Sequence, residues 1–209
     1  LPNTVGEIFT PGDGSALREK WNLDGKRVLL TVGRMDSRER YKGHDRVIRA
    51  LPQLIAVGHD VIYVVIGEGD DLPRLKSLAV ETGVADRVRF MGPAGPETLV
   101  QAYRMADIFV MPSTGEGFGI AFLEAMACGT PALGLATGGA LDALVDGELG
   151  GAVDEAEFVS TLMEALQKPK PDGCALAAAA RERFGREHFE QRAKAVVCGL
   201  VQAEQEDRP

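Results

Sequence analysis

Short apolar runs alternate with amphipathic stretches along most of the chain. The runs are rich in β-branched residues and several end on glycine, a pattern typical of strands that are buried on both faces of a parallel sheet. The stretches between them place apolar residues at helical spacing. The predicted strands are 27–33, 61–67, 88–92, 108–113, 131–136 and 151–154, and the predicted helices between them are 45–57, 71–82, 96–105, 118–128, 138–145 and 155–167.

This alternation predicts an α/β fold, a Rossmann-like doubly wound parallel sheet with right-handed crossovers and extra C-terminal helices. The strand pattern stops after Pro171, and residues 175–183 and 187–206 have purely helical patterns. We therefore divide this part of the chain into an α/β domain over 27–170 and C-terminal helices over 171–209. Pro52 lies inside the first predicted helix and is a mild objection to it.

The composition is that of an ordinary globular domain, and it serves mainly to exclude some classes of partner. The 209 residues carry 31 acidic and 23 basic side chains, and the net charge of −8 argues against nucleic acid or an anionic membrane surface as the main partner. The three cysteines form no disulfide or zinc pattern, so a reducing, cytoplasmic location is expected. No apolar run is long enough for a membrane span and no signal peptide is visible, although the chain begins at Leu1 rather than Met.

A basic cluster follows the first predicted strand, where ligands of an open parallel sheet bind. Gly33 and Arg34 stand at this strand end, and a loop leads on to Lys42 and Gly43. Arginine offers a planar fork to phosphate oxygens and lysine a mobile point charge, so Arg34 and Lys42 are predicted to bind phosphate. The neighbouring charges Arg38, Arg40 and Arg46 are expected to be solvated, and His44 is expected to be structural or exposed.

A second cluster follows the fourth predicted strand. Glu116, Gly117, Phe118 and Gly119 lead into a helix that carries Glu124. The glycines leave backbone N–H groups free at the helix N-terminus, which favours an anionic or hydroxylated ligand. Carboxylates accept hydrogen bonds from adjacent sugar hydroxyls, and a charge at Glu124 among apolar neighbours needs a partner or a function. The alternatives are that Glu116 only interacts with the helix dipole and that Glu124 is a surface residue.

The motifs Gly33-Arg34, Tyr41-Lys42-Gly43 and Glu116-x₇-Glu124 stand in this order in one chain. Together they resemble the family 4 retaining glycosyltransferases of the GT-B fold, whose Glu-x₇-Glu motif is similar to the last of them. The resemblance extends to about Phe189, and the opening Leu1-Pro2-Asn3 resembles an interdomain linker. It implies that residues 1–26 are linker and lead-in, that the chain is the C-terminal half of a GT-B enzyme, and that the acceptor-binding N-terminal domain is absent from it.

The resemblance also implies a role for each motif. Arg34, Lys42 and Glu116 would be catalytic: the two cations would hold the donor diphosphate and stabilise the leaving group, and Glu116 would bind the hydroxyls of the transferred sugar. Glu124 would bind the ribose. The remaining substrate-binding positions would be Gly33, Gly117, Phe118, Gly119 and Leu123, with Arg89 and Met91 near the base.

The implied donor is a hexose linked to UDP, GDP or ADP, and the acceptor is a sugar, lipid or polysaccharide held by the missing domain. No cofactor and no metal are expected, because the family has no essential metal and positive side chains replace the cation. The isolated fragment is expected to be inactive. Peripheral membrane association of the intact enzyme is left open.

Two departures from the family pattern bear on the site. The long gap between Arg34 and Lys42 predicts a loop that is flexible without ligand. Many members have Gly-Gly-x-Pro-Glu after the fifth strand, where this chain has Gly138-Gly139-Ala140-Leu141-Asp142. The glycine pair is also a candidate nest for an oxyanion or a hydroxyl.

Three other functions remain as alternatives. A glycosidase also uses two carboxylates, but no sequence feature marks Glu116 or Glu124 as having a raised pKa, and the basic loop would be unexplained. Glu116 as a nucleophile at the anomeric carbon is a minor variant of the transferase hypothesis. The chain could instead be half of a GT-B-like nucleotide-sugar epimerase, or a non-enzymatic α/β module that binds a partner through its sheet edge or C-terminal helix.

Overall fold

The computed structural model describes residues 3–206, with side chains for residues 3–198. Leu1 and Pro2, which open the segment interpreted as a linker, lie outside the described residues. Six strands alternate with helices, as the apolar pattern predicts. The strands are β1 Arg27–Val32, β2 Val61–Ile66, β3 Val88–Phe90, β4 Ile108–Met111, β5 Ala132–Leu135 and β6 Gly151–Val153, and the helices are α1 Ser15–Lys20, α2 His44–Ala56, α3 Leu72–Glu81, α4 Pro96–Met105, α5 Ile120–Ala127, α6 Gly139–Leu144, α7 Phe158–Gln167, α8 Gly173–Phe184 and α9 Arg186–Glu206.

The six strands form one parallel sheet in the order β3-β2-β1-β4-β5-β6. This order confirms the predicted Rossmann-like doubly wound fold. The chain first builds outward from β1 through β2 to β3, and then returns to place β4 on the other side of β1. The loops after β1 and β4 therefore diverge to opposite faces and leave a crevice between them, which is where such sheets bind ligands.

The core has two parts, one on each face of the sheet. One part packs the sheet against α1, α4, α5, α6 and α8, and the other packs it against α2, α3 and α7. Strand β2 is buried at every position and β4 and β5 likewise, which is why their sequences are continuously apolar instead of alternating. The two-sided burial predicted from the sequence is confirmed.

The element boundaries differ from the sequence prediction in a few places. The helix Pro96–Met105 is as predicted, and α2 contains Pro52. The predicted helix over 155–167 divides into a 3₁₀ turn, Glu155–Glu157, and α7. The short helix α1 was missed, because six residues with a single buried apolar side chain, Leu17, carry too little periodic signal.

The segment before β1 and the helix α8 share the core with the sheet. Val5 and Phe9 belong to the same apolar cluster as Phe184, and the backbone N–H of Val5 donates to the carbonyl of Phe184 at 3.1 Å. The division of the chain at residues 26 and 170 stays a prediction. Among the described residues, no helix is both long enough and apolar enough to cross a membrane.

A buried hydrogen-bond relay crosses the centre of the sheet. The Tyr63 hydroxyl on β2 donates to Thr31 Oγ1 on β1 at 2.8 Å, and Thr31 Oγ1 donates in turn to the carbonyl of Val110 on β4. All three residues are at most 1% exposed. Because water cannot replace a lost partner here, the Tyr63 hydroxyl depends on Thr31 for its acceptor.

We expect Thr31→Val to lower the free energy of unfolding by about 2–3 kcal/mol, because it leaves the Tyr63 hydroxyl buried without an acceptor. Tyr63→Phe should cost only about 1 kcal/mol, since Thr31 still donates to Val110. Urea denaturation of both variants and of the double variant measures this. A double variant whose loss equals the sum of the single losses would contradict the coupling.

His44 opens α2 and is buried, with its Nε2 atom lacking a hydrogen-bond partner. Burial, and next the positive charge of Lys42, lowers the pKa of His44 from 6.5 to about 4. Its structural role, one of the two expected from the sequence, is thus the one observed. Between these two pKa values the unfolded chain binds a proton that the folded chain does not.

Stability should therefore be full above about pH 6.5 and fall as the pH drops toward 4. For His44 alone the loss amounts to about 2 kcal/mol at pH 5. In denaturant titrations, the free energy of unfolding should drop less between pH 7.5 and pH 5 for His44→Gln than for the wild type. The matched control is His188→Gln on α9, which should retain most of the wild-type drop.

Candidate functional site

The loop after β1 is fixed to the neighbouring strand end and to α3. The backbone N–H of Gly33 donates to Ile66 at 3.0 Å, and that of Met35 donates to Glu68 at 2.9 Å. Asp71 is 4% exposed and accepts from Arg40 at 3.1 Å and from Arg74 at 2.5 Å. Arg40 was expected to be a solvated charge; its side chain is 55% exposed and also ties the loop to this buried carboxylate. The sequence argument missed the role of Asp71. Arg74 is three residues downstream, but Arg40 is 31 residues upstream, and a linear pattern does not show that contact.

The same loop then docks on the end of β4. The backbone N–H of Thr114 donates to the carbonyl of Tyr41 at 2.9 Å. Gly43 has a positive φ of 78°, and a Cβ atom there would lie 2.3 Å from the carbonyl oxygen of Pro112. Only glycine fits this position, both for its backbone conformation and for the close approach. The contact brings the chain around Lys42 directly against the loop that carries Glu116.

The loop after β4 is supported from behind by Gly138 and Gly139. The N–H of Gly139 donates to the carbonyl of Glu116 at 2.9 Å, and a Cβ at Gly139 would come within 2.4 Å of the backbone of Gly117 and Phe118. The predicted anion nest at this glycine pair is therefore occupied by the protein's own backbone, at least at the Gly139 amide. The pair lets two loops pack closely.

These contacts place Lys42 and Glu116 together. Lys42 Nζ lies 2.8 Å from Glu116 Oε1, and the two side chains are only 14% and 12% exposed. They line a cavity of about 310 Å³ with the last residues of both central strands, Val32 of β1 and Met111 of β4, and with Phe118 and Gly119. The cavity thus lies in the crevice between β1 and β4.

The residues after Glu116 open onto this cavity and its neighbour. Gly119 is the N-cap of α5, and the first N–H groups of a helix have no partners within it. Gly117 and Phe118 also line an adjoining polar cavity of about 540 Å³ with Asp142. Free helix amides beside a lysine form a suitable surface for an anionic group.

Arg34 is not joined to the Lys42–Glu116 pair. Its side chain is 71% exposed, and its Nη2 atom lies 2.5 Å from Glu39 Oε1 within the same loop. Gly33, the residue before it, packs near the stem of Lys42, since a Cβ there would lie 3.6 Å from Lys42 Cδ. The structure places Arg34 on the loop beside the crevice with its guanidinium toward solvent.

Glu124 lies one turn into α5 and is partly buried. Its Oε2 atom accepts a 2.6 Å hydrogen bond from the hydroxyl of Tyr103, which is itself fully buried on α4. Burial raises the pKa of Glu124, and the hydrogen bond from Tyr103 opposes that rise. A raised pKa was not expected from the sequence, because it arises from burial, which depends on how α5 packs in the folded protein. The apolar neighbours of Glu124 did indicate that it would need a partner.

Three other predicted positions differ in their surroundings. The Arg89 guanidinium donates to the carbonyls of Trp21 and Asn22, in the connection that enters the amino end of β1. Leu123 is 0% exposed and belongs to the apolar core, so its side chain offers no surface to a ligand. Met91 follows β3 and is 36% exposed.

Within residues 3–198, whose side chains the structure describes, no group of three or more His, Cys, Asp or Glu side chains has the arrangement of a metal site.

Comparison with known proteins identifies the family. Residues 13–191 match the glycosyl transferases group 1. A D-inositol 3-phosphate glycosyltransferase of Mycobacteroides abscessus is 40% identical over 151 residues, which are 71% of this chain and 33% of that protein. Similar curated relatives align over 44% and 47% of their own length, so the chain spans a third to about a half of these proteins.

Solved structures share the fold of this chain. The crystal structure of Anabaena Alr3699/HepE in complex with UDP superposes with a TM-score of 0.79 at 23% identity, over 94% of this chain and 56% of that one, and the same protein has also been solved with UDP-glucose. The C-terminal domain of a glycosyl transferase group 1 family protein, LpcC from Francisella tularensis, superposes with a TM-score of 0.68 at 25% identity, over 83% of this chain and 95% of that one. With its Rossmann-like sheet and its sequence match over residues 13–191, the chain belongs to the glycosyl transferases group 1 family.

Proposed function

We propose that the chain is the donor-binding half of a glycosyltransferase that moves a hexosyl group from a nucleoside-diphosphate sugar to an acceptor. The observation that carries this is the 2.8 Å contact between Lys42 and Glu116 in the crevice between β1 and β4. It provides a cation for phosphate and a carboxylate for sugar hydroxyls within the length of one small ligand. Both groups lie where a doubly wound sheet binds its substrate.

The proposed roles follow from the surroundings of each residue. Lys42 and Arg34 hold the diphosphate and stabilise it as a leaving group, with Arg34 exposed enough to turn toward a phosphate. Glu116 accepts hydrogen bonds from the transferred sugar. Gly117, Phe118 and Gly119 line the two cavities beside Glu116, and Gly33, next to the stem of Lys42, is proposed to approach the ligand with its backbone.

Glu124 is proposed to bind the ribose. Tyr103 engages its Oε2 atom, which leaves Oε1 to accept from a hydroxyl. Met91, at the end of β3, is proposed to lie beside the base. For Arg89 and Leu123 the proposed contribution is indirect: Arg89 holds the Trp21–Asn22 turn and Leu123 packs α5.

We further propose UDP as the nucleotide, in preference to GDP or ADP, because the structural neighbour Alr3699/HepE was solved with UDP and UDP-glucose. Transfer with retention at the anomeric carbon is proposed from the resemblance of the Glu-x₇-Glu motif. Arg34 and Lys42 supply the positive charge that a metal would otherwise supply, so no metal is proposed.

The whole protein is proposed to act in the cytoplasm, with an acceptor site formed outside this chain. The relatives extend well beyond the aligned region, which leaves room for such a site. The names of those relatives favour sugar transfer over epimerisation or a non-enzymatic role.

Replacing Lys42 tests the phosphate assignment. Lys42→Met should weaken UDP binding by about 1.5–3 kcal/mol, the usual value of a charge-assisted hydrogen bond, and should leave binding of uridine unchanged. Isothermal titration calorimetry with UDP, GDP, ADP and uridine measures both effects. The matched control is Lys76→Met, which removes an exposed lysine of α3. Unchanged UDP affinity would refute the role of Lys42, and no binding of any nucleotide at millimolar concentration would refute the proposed function.

The isolated chain should bind the donor but transfer almost no sugar. Without an oriented acceptor it lacks the proximity contribution, which amounts to several kcal/mol of the barrier. A radiolabelled UDP-glucose assay, with the intact gene product as the positive control, compares the two proteins. Robust transfer by the 209-residue chain alone would show that its own residues complete the active site.

A further inference from the structure

The ion pair between Lys42 and Glu116 is rigidly supported by backbone contacts. The carbonyl of Tyr41 accepts from Thr114, and the carbonyl of Glu116 accepts from Gly139, each at 2.9 Å. These contacts hold the backbones from which the two side chains extend. With 14% and 12% exposure, the charges are weakly screened by water, and separating them would leave each of them poorly solvated.

In this arrangement Glu116 and a ligand phosphate compete for Lys42. A phosphate that binds Lys42 must approach within a few ångströms of the Glu116 carboxylate, which has the same sign of charge. At such distances, and at the effective dielectric of a partly buried site, the repulsion is large enough to change affinity about five- to tenfold. A free nucleoside diphosphate brings only more negative charge and offers no hydrogen-bond donor to Glu116 at its terminal phosphate.

A sugar-linked diphosphate differs at this point. Its hydroxyls donate to the Glu116 carboxylate, so Glu116 keeps a partner while Lys42 turns to the phosphate. The terminal phosphate is also esterified and carries less charge.

Resting on the proposed function, we infer that Glu116 is a specificity-determining residue that makes the site discriminate against free nucleoside diphosphate. By this means the enzyme favours the donor over its own nucleotide product. Once the sugar has left, Glu116 loses its hydroxyl partners and pairs with Lys42 again. The nucleotide is then held less firmly, which favours product release. A role in sugar contact alone would not alter the affinity for UDP, whereas this inference predicts that removing an acid improves it.

The test is the ratio of the dissociation constants of UDP and UDP-glucose, measured by calorimetry on the 209-residue chain and on variants. Glu116→Gln should bind UDP about five- to tenfold more tightly than the wild type and should bind UDP-glucose no more tightly. The UDP to UDP-glucose ratio of dissociation constants should fall at least about fivefold.

Glu124→Gln is the matched control, because it neutralises the other acid of the motif, which is paired with Tyr103 and not with Lys42. It should change both affinities by the same factor. The methyl ester of UDP, which carries the charge of UDP-glucose without its hydroxyls, separates the effect of charge from that of the hydroxyls. In the wild type it should bind more weakly than UDP-glucose, and Glu116→Gln should narrow that difference.

Weaker or unchanged UDP binding by a folded Glu116→Gln variant would overturn the inference, and so would an equal gain for both ligands. If this variant fails to fold, Glu116→Asp retains the charge but shortens its reach toward Lys42. Its UDP to UDP-glucose ratio of dissociation constants should be about two- to threefold lower than that of the wild type, and an unchanged ratio would overturn the inference. A wild type that binds neither ligand would overturn the proposed function itself, which is a distinct result.

Discussion

The contact between the loop after β1 and the end of β4 is the constraint on which the site depends. Gly43 lies against the carbonyl of Pro112, and Thr114 donates to Tyr41, so two segments about 70 residues apart meet at the backbone level. Lys42 and Glu116 extend from these segments and reach each other only because the backbones already touch. Without this docking the lysine would be one more surface charge.

The parallel sheet makes that docking possible. Because β1 and β4 are neighbours and the chain leaves them toward opposite faces, a crevice opens at their carboxyl ends. The relay from Tyr63 through Thr31 to Val110 ties the central strands together just below the crevice. The strands position the two loops, and the loops position Lys42 and Glu116.

The crevice contains one positive and one negative side chain in contact, Lys42 and Glu116. Lys42 and Glu116 neutralise each other within the protein, and the same two groups are suited to opposite parts of a sugar nucleotide. The selectivity proposed for this site rests on that pairing, since a ligand must offer new partners to both groups when it separates them. Glu124 differs from this pair: its carboxylate accepts a hydrogen bond from the neutral hydroxyl of Tyr103, and burial raises its pKa.

The sequence alone was sufficient for the fold class, and it indicated which strand ends lie beside the candidate site. The continuous apolar runs required two-sided burial, and the positions of Lys42 and Glu116 after two of them indicated a shared edge. It could not show α1, whose six residues give little periodic signal, nor that Asp71 anchors the loop, because that contact joins distant residues.

Only the tertiary structure decided which side chains meet. Arg89, predicted near a base, instead holds the Trp21–Asn22 turn, and Leu123 is sealed in the core. Arg34 is paired with Glu39 and not with Glu116, the partner of Lys42. A linear pattern records which residues are apolar and where strands end, since those follow from local burial. Distances between loops, and the charges that end up in contact, depend on how the whole sheet is assembled.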